Sequence, residues 1–174
     1  MTDKRQAIYE VMIRGTIDAV WKELIRTDRP QRAMFNSVLH TDRLAAGGQL
    51  RMRSPDGKYT SVVGEYIEVN EPVRMVHTMR FTTTDDPECV VTFDLEDTPE
   101  GVRLRLTVDE IPVGTKSEKH LRQGAEFIAR NLKAIVETGQ PTFGARMLYV
   151  LFKVLAPFNP KRTRSEFWPL ESST

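Results

Sequence analysis

The sequence has few of the features that mark secreted or membrane proteins. Its single cysteine, Cys89, cannot form a disulfide within the chain, and it has no run of about 20 apolar residues, the length of a bilayer-spanning helix. Residues 1–6 are polar and lack the apolar segment of a secretory signal. Since 25 basic residues face 24 acidic ones, no general attraction to nucleic acid is expected. We therefore expect a cytoplasmic protein that does not bind nucleic acid.

Motifs for the common catalytic and cofactor chemistries are also missing. The sequence contains no nucleophile elbow, phosphate-binding loop or dinucleotide fingerprint. The three histidines, His40, His77 and His120, do not form metal-ligand spacings with each other or with Cys89. We predict no catalytic residue, no metal and no cofactor from these patterns.

Alternation of apolar and polar residues dominates the first two thirds of the chain and predicts antiparallel strands. Thr16 is a candidate N-cap for a short helix at 17–26, and a weak second helical turn follows around 30–35, giving a helical pair after the first strand. The predicted strands are 7–14, 50–53, 59–69, 75–81, 91–95 and 102–108, separated by Gly- and Pro-containing turns.

A long amphipathic helix is predicted over 116–138, about 35 Å in length. Thr115 and Glu118 form a candidate capping box, and Gly139 supplies the C-terminal stop. The apolar residues of this helix recur at helical spacing: Leu121, Ala125, Ile128, Leu132 and Ile135. We predict an α+β fold in which a curved antiparallel sheet packs on this helix and leaves an apolar cavity between them.

Four stretches in this order resemble START-like, polyketide-cyclase-like domains. Residues 17–21 (IDAVW) resemble the family's "P-x-x-V-W" helix start, and the glycine pair in 44–52 resembles the one that precedes its third strand. Residues 64–72 (GEYIEVNEP) resemble its "G-x-V-x-E-V-x-P-P" stretch, and 131–133 (NLK) its last helix. Within the superfamily, the sequence is most similar to proteins named after the activator of the heat-shock-protein-90 ATPase. The resemblance covers about residues 5–139.

This resemblance implies a helix-grip domain at 1–140, followed by an extension at 141–174. It does not imply one function, because the superfamily includes lipid carriers, cyclases and chaperone regulators. Met79 and Ala125 stand where relatives often carry tryptophan, and we predict a roomier cavity because methionine adapts to irregular shapes.

Three functions follow as hypotheses: binding of a small hydrophobic ligand or lipid, regulation of a heat-shock chaperone ATPase, and cyclase- or hydrolase-like catalysis in the same cavity. Strand parity and the resemblance predict the cavity wall as Trp21, Phe35, Met52, Tyr66, His77, Met79, Phe93, Leu106 and Ile128. Of these, His77 is interpreted either as a histidine packed in the sheet or as a base or polar anchor. Cys89 shares the parity of the inward residues and is expected to be buried and inert.

The extension contains a segment, 143–158, that is apolar on nearly every side and too short to cross a membrane. Three interpretations compete: packing on the domain as a roof over the cavity, a homodimer contact, and an anchor at a membrane surface. On the sheet, Arg51, Arg53, Arg103 and Arg105 are expected on the outer face, either exposed to water or as a strip that binds a partner.

Overall fold

One antiparallel sheet of seven strands, in the order β1-β7-β6-β5-β4-β3-β2, forms the body of the protein. The computed structural model describes residues 5–170; the ends of the predicted domain and extension, 1–4 and 171–174, lie outside the described residues. The strands are β1 Ala7–Ile13, β2 Val38–Thr41, β3 Gln49–Arg53, β4 Thr60–Asn70, β5 Arg74–Phe81, β6 Cys89–Thr98 and β7 Gly101–Asp109. The helices are α1 Ile17–Ile25, α2 Lys116–Thr138 and α3 Phe143–Leu155. The predicted α+β class with a curved sheet and a long helix is confirmed.

Only the first helix of the predicted pair exists. The hydroxyl of Thr16 accepts a hydrogen bond from the Ala19 backbone N–H at 3.2 Å, so the predicted N-cap of α1 is confirmed. The predicted second turn around 30–35 is wrong, because Phe35 and Asn36 adopt left-handed φ values of 55° and 58° that end any right-handed helix. This stretch is instead a turn.

The long helix α2 has the predicted bounds but not the predicted capping box. The hydroxyl of Thr115 donates to the Pro112 carbonyl oxygen at 2.6 Å, and the carboxylate of Glu118 accepts from the Gly114 N–H at 2.9 Å. The two side chains therefore stabilise the preceding turn. The predicted C-terminal stop is confirmed, since Gly139 adopts a left-handed φ of 77° and its N–H reaches the Ile135 carbonyl.

The sheet and α2 meet in one apolar core. Strand pairing places Phe93 opposite Leu106 and Val91 opposite Val108, and all four side chains are buried. On α2, the side chains facing this core are also buried: Leu121, Ala125, Ala129, Leu132 and Ile135. Each large side chain buried here contributes about 1.5–3 kcal/mol before entropy costs. Because α2 packs mainly on β1 and β7, it covers one half of the inner face more fully than the other.

The outer face of the sheet is polar at one end and covered at the other. Arg103 pairs with Glu96 at 2.7 Å and stays exposed, as predicted; Arg105 pairs similarly with Glu10 at 2.6 Å. The prediction of open solvent at Arg51 and Arg53 is wrong. Both guanidinium groups donate to backbone carbonyl oxygens of the C-terminal segment, those of Pro169 and Trp168, at 3.2 and 3.1 Å.

Candidate apolar groove

Inward-facing side chains on β3, β4 and β5 remain half-exposed. Pairing places Met52 opposite Val62 and Val62 opposite Phe81, so the three share the inner face, and Met79 lies on the same face two residues before Phe81. All four are half-buried, whereas Phe93 on the same face of β6 is only 2% exposed. The off-centre position of α2 thus leaves these side chains half-exposed, and we call this surface along β3–β5 the apolar groove.

The opposite wall of this groove comes from α2 and the turn at 32–36. The left-handed turn stacks the Phe35 ring on Phe127, with centroids 4.3 Å apart and planes at 9°. A Cβ at Gly124 would lie 3.7 Å from Phe35 Cζ, an ordinary van der Waals contact, so the Phe35 ring lies directly against this part of α2. The His120 ring meets Phe81 edge-on, with centroids 6.2 Å apart. The contact between His120 and Phe81 joins α2 to β5, the opposite wall.

His77 lies on the inner face between two aromatic rings. Its ring centroid is 6.1 Å from that of Tyr66 and 6.2 Å from that of Phe93. Burial lowers the pKa of His77, which favours the neutral ring. Nδ1 lies 2.9 Å from the Thr78 carbonyl oxygen; because a carbonyl only accepts, Nδ1 carries the hydrogen and Nε2 is left as an acceptor. His77 therefore offers one polar atom on an apolar surface.

The predicted wall residues separate into two groups. The half-exposed ones are Phe35, Met52, His77, Met79 and Ile128. The nearly fully buried ones, which belong to the core, are Trp21, Tyr66, Phe93 and Leu106. Sequence reasoning missed Phe127, although the spacing of 120, 124 and 127 on one helical face was an available signal. His120 was expected at the surface and is exposed, with one side of its ring against Phe81.

Two buried groups bear on chemistry. The indole Nε1 of Trp21 is buried and meets no acceptor among the described residues. A buried N–H donor without a partner costs about 1–3 kcal/mol, and a hydrogen bond to water or to a ligand oxygen would remove this cost. Cys89 faces inward as predicted and is 1% exposed. Burial raises the pKa of its thiol to about 12, so it stays protonated and unreactive.

Two surface hollows lie away from the groove. One, of about 390 Å³, opens between Lys58 and Arg164, and the other, of about 370 Å³, lies beside Glu118 and Arg122. Both have charged side chains in their walls and neither lies between the sheet and α2. The half-exposed inner face along β3–β5 is the candidate binding surface, and the predicted roomier cavity stays a prediction.

A family model covers most of the same region. The model described as "Activator of Hsp90 ATPase homolog 1-like protein" matches residues 14–137. The chain belongs to this family. Comparison with curated proteins finds no match. Among the described residues, none of the helices is both long and apolar enough to cross a membrane.

Solved structures share the fold of this family member. DynU16, from the dynemicin biosynthetic locus, is 22% identical with a TM-score of 0.63 over 79% of this chain, which spans only 49% of DynU16. The HSP90 activator PFC0360w from Plasmodium falciparum is 18% identical, with a TM-score of 0.60 over 79% of this chain and 98% of its own. The Aha1 dimer from Colwellia psychrerythraea is 13% identical, with a TM-score of 0.60 over 77% of this chain and 97% of its own.

Proposed function

We propose that this protein binds a small hydrophobic molecule or lipid, without transforming it, in the groove between β3–β5 and α2. The observation that carries the proposal is the half-exposure of inward side chains such as Met52, Met79 and Phe81 on a face that is otherwise closed. Covering apolar surface yields about 25 cal/mol per Å². A ligand lying along these side chains would complete the core that α2 leaves open.

The groove favours an apolar ligand with one polar end. Methionine side chains adapt to irregular shapes, and two of them line this surface. Nε2 of His77 accepts a hydrogen bond, so a hydroxyl group on the ligand would find a partner there. We therefore expect a long-chain alcohol to bind better than the corresponding alkane.

The proposal predicts where a ligand will be sensed. In protein labelled with ¹³C at the methionine methyl groups, titration with dodecanol should shift the signals of Met52 and Met79 and leave that of Met147 on α3 in place. Met79→Lys should weaken binding about tenfold or more, because a charge in an apolar groove loses hydration. Ile67→Lys is the matched control, since Ile67 is 50% exposed at the surface of β4. Shifts confined to Met147, or equal affinities of both variants, would refute binding in the groove.

Catalysis in the groove requires more than binding does. An enzyme would need a reacting group beside Nε2 of His77, and the rings of Tyr66 and Phe93 lie next to His77. Burial raises the pKa of Tyr66 to about 12, which keeps its phenol protonated. This surrounding supports binding over acid–base chemistry, so catalysis is not proposed.

Regulation of a heat-shock ATPase is the second candidate function, supported by the family to which the chain belongs. It predicts that the purified protein changes the ATP turnover of a heat-shock-protein-90 chaperone. The charged outer face is the surface to vary, and Arg103→Glu, which would lose the pair with Glu96, should reduce any stimulation. Unchanged turnover at saturating protein would dispose of this candidate.

A further inference from the structure

The helix α3 presents its apolar side to water. Its side chains at 143, 147, 150 and 154 follow spacings of four, three and four residues and so form one stripe. All four are strongly exposed: Phe143 70%, Met147 55%, Val150 59% and Val154 64%. The apolar side of a surface helix normally faces the core, so this orientation needs a partner outside the described fold.

The opposite side of α3 is fixed to the domain, which sets the direction of the stripe. Ala145 is 1% exposed, and the Tyr149 hydroxyl donates to the Arg32 carbonyl oxygen. The Tyr149 ring also meets Phe127 edge-on at 6.4 Å. At the start of the helix, Asn131 accepts from the Thr142 N–H at 3.0 Å. The stripe therefore points away from the domain.

The charge around the stripe has one sign. Residues 138–165 contain no acidic residue and five basic ones. Two of these have acidic partners, Arg162 with Asp85 at 2.5 Å and Arg164 with Glu166 at 3.6 Å. The other three are Arg146, Lys153 and Lys161, and within residues 5–170 no carboxylate lies within ion-pair distance of them. The apolar stripe is thus flanked by uncompensated positive charge.

We propose that α3 is a membrane-surface anchor that inserts its stripe into the interface of an anionic lipid bilayer. At 13 residues it is about 20 Å long, shorter than the roughly 30 Å apolar layer of a bilayer, so it lies in the interface. Lys153 and Lys161 then meet lipid phosphates. A second copy is the less suitable partner, because a two-fold contact would bring the same cations together with no acid on the helix to pair with them. This inference does not depend on ligand binding in the groove.

Co-sedimentation of the full chain with vesicles tests the anchor. The protein should sediment with vesicles of phosphatidylcholine containing about 30% phosphatidylglycerol, and less with phosphatidylcholine alone. Val150→Asp should lower this binding at least about tenfold, because the inserted side chain gains a charge. Val113→Asp is the matched control, since Val113 is 48% exposed in the loop before α2. This variant should bind the vesicles as strongly as the unchanged protein.

A second variant keeps the test independent of folding effects. Lys153→Gln should weaken binding to the anionic vesicles about fivefold and leave binding to neutral vesicles unchanged. Analytical ultracentrifugation without lipid gives the competing outcome. A dimer that Val150→Asp dissociates, together with no sedimentation with vesicles, would overturn the proposal in favour of a second copy. Equal binding of all variants would overturn it as well.

Discussion

Replacing Gly64 with alanine should destabilise the protein by about 2–3 kcal/mol. A Cβ at this position would lie 1.9 Å from the Thr78 carbonyl oxygen and 3.4 Å from the Met79 Cα. These are backbone atoms of β5, so no side-chain rotation relieves the overlap and β4 and β5 must separate. Because Met79 lines the groove, the same variant should also disturb ligand binding. Urea denaturation followed by circular dichroism measures the loss.

The matched control for this prediction is Gly144→Ala. Gly144 lies in α3, and a Cβ there meets nothing within 4 Å. Alanine favours the helix over glycine by roughly 0.5–1 kcal/mol, so this variant should be unchanged or slightly more stable. Equal destabilisation of both variants would mean that close approach of β5 is not what requires glycine at position 64.

The sheet and the long helix were predictable because both depend on periodicity. Alternation over 91–95 and 102–108 predicted the buried faces of β6 and β7, and these side chains are buried. The four-residue strand β2 was not located, since so short a segment carries no periodicity. The turn at 32–36 was predicted to be helical for a different reason. Phe35 and Asn36 adopt left-handed φ values, and neither is a glycine, the residue type that usually marks this conformation in a sequence.

The site was predictable in part. Strand parity correctly assigned Met52, His77 and Met79 to the inner face, because pairing in a sheet preserves alternation. Strand parity does not show which strands the helix α2 covers. The position of α2 on the sheet determines that Leu106 is buried while Met79 is half-exposed. The depth of each wall residue is therefore a tertiary property that local pattern does not contain.

The extension shows the same limit most clearly. Its composition predicted an apolar helix, and α3 is that helix. Burial against the domain, one of the three interpretations, holds for Ala145 but not for the stripe from Phe143 to Val154. A few specific contacts, here those of Asn131 and Tyr149, decide which side of α3 packs on the domain. The periodicity of the sequence does not reveal such contacts.

Replacing Leu132 with alanine should have the largest effect on stability, about 3 kcal/mol. Its side chain is fully buried at 0% exposure on the side of α2 that packs on the sheet, so the truncation leaves a cavity where the helix is held. Leu151→Ala is the matched control, with the same change at a side chain 49% exposed on α3; it should alter the free energy of unfolding by less than about 0.5 kcal/mol. Chemical denaturation of both variants compares them directly. A larger loss for Leu151 than for Leu132 would mean that Leu151, next to the stripe of α3, is covered within the protein itself. Both the membrane anchor and the central role of α2 would then be refuted.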